Sequence, residues 1–236
     1  MASSIVHLAV TNEIIASLDF NNTDRLKFGA VVVDSGYGGN SHLKIHILDG
    51  QKKTYDFNRF RQLFGECMLV DDLYLGYYLH LVQDALFRQF VYNKYHWNPT
   101  IPGNVERLHK DYSIVNYYVV TKYHLHNDLV VPDGFEHEAI NQICSFDTEG
   151  LLMSMDSYFL PVEEEPIFFF TKEMSDEFIE GAIDFCVQEI EKIRRGEAGI
   201  DMVAYAWNRS GLPVDESPKY DSVSISEVIT PTRYSV

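Results

Sequence analysis

Positive charge, cysteine and long apolar runs are all scarce in this chain. Its 236 residues carry 19 lysines and arginines against 35 aspartates and glutamates, a formal net charge of −16. That imbalance repels phosphate backbones and anionic membrane surfaces at long range, so nucleic acid is not an expected partner. The three cysteines, Cys67, Cys144 and Cys186, are scattered without a C-x-x-C pair. They frame neither a disulfide scaffold nor a thiolate zinc site, and are expected to be small buried hydrophobes. No stretch of about twenty uninterrupted apolar residues occurs, which predicts no transmembrane segment. The opening Met1-Ala-Ser-Ser-Ile-Val-His7 has no basic and apolar leader pattern, and a cytoplasmic location is the matching expectation. Gly36-Tyr-Gly-Gly39 lacks the lysine and helix start of a nucleotide-binding loop.

What is present is apolar and aromatic: 46% hydrophobic and 14% aromatic residues, ample for the core of a single domain. Most of it repeats at helical spacing. Ser3 or Ser4 can cap a first helix whose inward stripe is His7, Val10, Ile14 and Leu18. A lone histidine on such a face is more often a hydrogen-bonded core residue than a ligand. Leu26 to Asp34 is a short apolar run, readable as a buried strand or as the last turns of a helix, that ends on a carboxylate. Thr54 to Phe64 reads as a short helix closed by Gly65. Val105 to Lys122 reads as a longer one, with Asp111, His109 and Asn116 bordering its stripe as partners of a site or as a solvated edge. Pro132 to Glu149 suggests another short helix, and Ser175 opens a clear amphipathic helix that stops near Gly196. His124 and His126 read as surface residues. The expected fold is all-α: a single-domain multi-helix bundle over residues 1–200, with 201–236 a C-terminal arm or flexible tail.

The bundle should form around a buried central helix at about residues 73–92. From Leu73 to Val91 almost every residue is apolar or aromatic, so this helix has no wet face. His80 and Asp84 are its conspicuous polar residues, and i,i+4 spacing stacks them on one side. Gly76, one turn earlier, leaves room beside them. Burying a lone carboxylate costs several kcal/mol, so Asp84 needs a partner. A divalent cation bound by imidazole nitrogen and carboxylate oxygen meets that need, and so does a plain hydrogen-bonded His–Asp pair.

Taken in chain order, His7, Asp34, His42 or His46, His80 and Asp84 supply three histidines and two carboxylates, enough for two metals bridged by one aspartate. Gly29-Ala-Val-Val-Val-Asp34, then Ser41-His42-Leu, then His80-Leu-Val-Gln-Asp84 on the central helix resemble the succession of motifs in the zinc-dependent phospholipase C family, in particular its short bacterial members. The resemblance spans roughly residues 1 to 125. It implies a phospholipase C/P1 nuclease-like helical fold and two zinc ions, although another divalent metal would suit the same donors. It also implies His7, Asp34, His42, His80 and Asp84 as ligands, with His42 preferred to His46 and Asp84 as the bridge. The implied activity is hydrolysis of a small phosphoester, phosphodiester or phospholipid-like substrate by metal-activated water, with Asp34 and Asp84 catalytic. A non-catalytic helical binding protein that keeps a metal or ligand pocket is the rival reading. A phosphohydrolase of the HD superfamily is disfavoured because no adjacent His-Asp pair occurs.

Overall fold

The computed structural model describes residues 2–163 and 165–208. Helix α1 spans Ser4–Ser17 and starts where Ser3 accepts a hydrogen bond from the Val6 amide, one of the two caps expected. Helix α2, Thr23–Val32, is capped by Asn22 and runs into a single 3-10 turn, Val33–Ser35, that carries Asp34. The apolar run from Leu26 is therefore helical. Strand β1, Gly36–Tyr37, and the hairpin β2–β3, Lys44–Ile47 and Lys52–Tyr55, lead into α3, Phe57–Val70, and then α4, Asp72–Gln89, which ends in a π turn at Phe90–Lys94. Helix α5, Asn104–Lys122, is followed by two 3-10 turns and strand β4, Ser145–Phe146. Helix α6, Thr148–Tyr158, helix α7, Lys172–Arg194, and strand β5, Trp207–Asn208, complete the described chain.

The described residues are mostly helical, 60% helix against 7% strand. A purely helical reading is corrected by two small antiparallel sheets, β1–β4 and β2–β3–β5. The stretch from Thr54 shows why. Asp56, not an earlier residue, caps α3 by accepting from the Arg59 amide, which leaves Thr54 and Tyr55 to pair across the hairpin with Ile45 and Lys44. Gly65 does not close α3, which continues to Val70. Between Pro132 and Glu149 the expected helix is replaced by the two 3-10 turns and β4. In the segment expected to be an arm, Met202, Ala206 and Trp207 are buried and β5 pairs with β3. The rest of that expected arm, 209–236, lies outside the described residues.

Helix α4 runs through the middle, with Tyr77, Tyr78, Leu79, Leu81 and Phe87 withdrawn from water. Its tightest contact is with α2, at a pair of glycines. A Cβ on Gly29 would stand 2.1 Å from the Leu73 carbonyl oxygen, and one on Gly76 would stand 2.2 Å from the Leu26 carbonyl oxygen. The two backbones thus touch at a distance that only glycine permits, and the space beside Gly76 is filled by α2. A Gly76→Ala variant is expected to lose about 3 kcal/mol of stability, the upper range of overpacking costs, because the methyl group meets backbone that cannot rotate away. Chemical denaturation of the two proteins checks this; an unchanged midpoint would show that the helices can move apart at little cost.

Candidate metal centre

The glycine contact sets α2 against α4 so that His80 Nδ1–H donates to the Ala30 carbonyl at 2.8 Å. That bond fixes the tautomer and turns the Nε2 lone pair into a small buried space. His7, one turn into α1, does the same through a different partner: its Nδ1–H donates to Gln83 Oε1 at 2.9 Å, and its ring stacks on His80 at 3.9 Å between centroids. His42 enters from the loop before β2. Tyr77 of α4 donates its hydroxyl to the Ser41 carbonyl, Ser41 Oγ lies 3.0 Å from His42 Nδ1, and Leu43 takes a left-handed φ of 50° to turn the chain into the strand. His46, two residues into β2, is only half-buried and belongs to neither cluster of potential metal ligands among the described residues, so the choice of His42 agrees with the geometry.

Asp34 and Asp84 complete the group. His42 Nε2 lies 3.3 Å from His80 Nε2, 3.5 Å from Asp34 Oδ1 and 3.5 Å from Asp84 Oδ2. His80 Nε2 is 3.7 Å from Asp34 Oδ1 and 3.9 Å from Asp84 Oδ2. His7 Nε2 faces the other oxygen of Asp84, Oδ1, at 3.5 Å and has no hydrogen-bond partner. All five residues expected as ligands are therefore brought together, and His7–His80–Asp84 and Asp34–His42–His80 are clusters that could hold a metal ion. The inward nitrogen of His7 is turned to Asp84, an arrangement that suits a ligand and a buried His–Asp pair alike.

Several supporting residues are not singled out by helical spacing or by the motifs. Tyr55 donates its hydroxyl to Asp84 Oδ2 at 3.1 Å, the Ala2 amide donates to Asp84 Oδ1 at 3.1 Å, and Ser4 donates to Asp34 Oδ2 at 2.8 Å. Gln83 alone carries a legible signal, as a buried amide inside an otherwise apolar helix next to Asp84. Asp111 and Asn116, by contrast, are neither a solvated edge nor partners of the centre. Asp111 accepts the amides of Phe168, Phe169 and Phe170, and Asn116 accepts the Ser3 hydroxyl. His109, His124 and His126 are exposed.

The charges are coupled. Burial raises the cost of ionising Asp84, yet His7 and the other imidazoles outweigh it and hold the carboxyl well below its usual range. Asp34 is lowered in the same way against burial, chiefly by His80 and His42. His80 is pushed down to about 3 by burial and by the adjacent His7, so it is neutral and its lone pair is available. His7 goes the other way: burial opposes its charge, but Asp84 and Asp34 raise its pKa above 6.5. Two clefts, of about 670 and 610 Å³, share Ser4, Asp34 and Tyr158, so the centre is reached from solvent on the Asp34 side. No known protein-family model, curated protein or solved structure matches this chain.

Because the raised pKa of His7 lets a proton hold the nitrogen that a cation needs, metal binding should displace it near neutral pH. Titrating zinc into chelator-treated protein by calorimetry in two buffers of different ionisation enthalpy is expected to give different heats, and affinity should fall as pH drops through the raised pKa of His7, which lies above the ordinary imidazole value. Identical heats in both buffers would mean that no proton is displaced.

Proposed function

We propose that the chain is a zinc-dependent phosphoesterase, similar to the zinc-dependent phospholipase C family, acting on a small phosphoester or phosphodiester. The observation that carries this reading is the spacing of the inward atoms. Ligand atoms 2.0–2.1 Å from a tetrahedral zinc stand roughly 3.3 Å apart. The separations of His42 Nε2 and His80 Nε2 from each other and from Asp34 Oδ1 and Asp84 Oδ2 run from 3.3 to 3.9 Å, close to the edge length of such a tetrahedron. His7 Nε2 faces Asp84 Oδ1 while His42 and His80 face Asp84 Oδ2, which supports the reading of Asp84 as a bridging carboxylate. The donor chemistry suits zinc: neutral imidazoles whose far nitrogens are anchored, plus carboxylates whose two negative charges call for a cation.

When bound, such cations supply Lewis acidity at a phosphoryl oxygen and a water nucleophile at neutral pH. The chain's own groups do the rest. Tyr55 and the Ala2 amide hold the two oxygens of Asp84 apart, one towards each set of histidines. Ser4 holds Asp34 Oδ2, leaving Oδ1 aimed at His42 and His80 where the clefts reach the centre. Substrate therefore enters past Asp34, and the apolar surroundings of α1 and α4 keep bulk water from the far side.

Hydrolysis of bis(4-nitrophenyl) phosphate is expected to require zinc, to stop with chelator and to return when zinc is restored. Asp84→Asn, which keeps the shape but removes the bridging charge, should lower kcat by at least about a hundredfold, the scale of losing a catalytic electrostatic contact. Zinc-loaded protein without turnover on a panel of phosphomonoesters and diesters would instead favour a metal-bearing binding protein.

A further inference from the structure

The geometry points to a second anion site beside the candidate metal centre, in which Arg88 and Lys44 hold an oxyanion at the non-reacting end of the substrate. This rests on the phosphoesterase reading of the centre and narrows its substrate to small molecules with two anionic groups. Arg88 follows Asp84 by four residues on α4, as Asp84 follows His80, so the three stand in one row at steps of about 6 Å along the helix. Arg88 and Lys44 both line the cleft of about 610 Å³ that contains Asp34.

The guanidinium is largely withdrawn from water, and the groups that hold it are phenols. Its Nη1 donates to the Tyr92 hydroxyl, Tyr55 is a further partner, and its carbon lies 5.4 Å from the Tyr92 ring centre and 5.3 Å from that of Trp207. Its Nε–H is buried and has no hydrogen-bond partner among the described residues. Asp84 acts on the guanidinium through its charge but makes no hydrogen bond to it among the described residues. Lys44, the first residue of β2, is partly withdrawn from water on the same cleft and lies within the fields of Asp84, Arg88 and Asp34. Two cationic side chains lining one cleft, one of them with a buried N–H that has no partner among the described residues, suit a small anion. In a chain of net charge −16, so local a positive spot selects a small anion rather than a polyanion. Trp97 and Tyr112 on the same cleft give an aromatic wall for the short linker between the anions. A cationic headgroup would be repelled from the place where the oxyanion sits.

The test is calorimetric binding to zinc-loaded protein of three non-hydrolysable probes: propylphosphonate, 3-phosphonopropionate and propane-1,3-bisphosphonate. One or both of the doubly anionic probes should bind on the order of tenfold or more tightly than propylphosphonate, the scale of one hydrogen-bonded charge contact. Whichever binds tighter identifies the second group as carboxylate or phosphate. Arg88→Gln and Lys44→Gln should each bring that ratio towards one while zinc content and propylphosphonate affinity stay as they were. Should Arg88→Gln fail to fold, Lys44→Gln decides alone, since Lys44 sits on the hairpin. A wild-type ratio near one, with propylphosphonate binding still dependent on zinc, would overturn the second anion site and leave the phosphoesterase reading standing. Propylphosphonate binding that ignores zinc and also survives Arg88→Gln and Lys44→Gln would remove both.

Discussion

Everything at the centre of this protein depends on how closely α2 approaches α4. Gly29 and Gly76 each face the other helix's backbone at a distance that a methyl group could not share. That approach puts the Ala30 carbonyl where His80 can donate to it, and it brings Asp34, just past the end of α2, to the same imidazole that Asp84 faces on α4. A wider crossing would separate the two carboxylates and free the His80 ring. The geometry of the centre is therefore a consequence of backbone packing before it is a matter of side-chain chemistry.

The electrostatics follow from that packing. Two carboxylates and three imidazoles share a space from which water is nearly excluded: His7, His80 and Asp84 are fully buried and His42 almost so. In such surroundings an uncompensated charge costs several kcal/mol. The carboxyls respond by holding their protons less tightly, His7 by holding one more tightly, and His80 by staying neutral. A divalent cation would resolve these tensions at once, neutralising the carboxylates and replacing the 3.3 Å hydrogen bond that His42 and His80 otherwise share.

The sequence made the centre more legible than the fold around it. His80 and Asp84 stand out because a helix apolar on every side tolerates a charge only with a purpose, and Asp34 stands out because it ends an apolar run. His7 was harder: one histidine on an inward stripe looks like any core residue. The small sheets escaped because four- and two-residue strands leave too little alternation to detect, and because Gly65 in α3 looks like a helix end although its own surroundings are open. Tyr55, Ser4 and Lys44 carry no periodic signal that links them to His80; their roles come from tertiary placement. Asp111 illustrates the opposite hazard, a buried carboxylate whose task is to gather three backbone amides.

The central claim is that these five side chains hold zinc. Elemental analysis of protein purified without added metal or chelator tests it most directly. The account predicts about two equivalents of zinc per chain, one for each set of donors that Asp84 joins. Protein that is folded and monodisperse yet carries no divalent metal, and gains none when zinc is supplied, would contradict it.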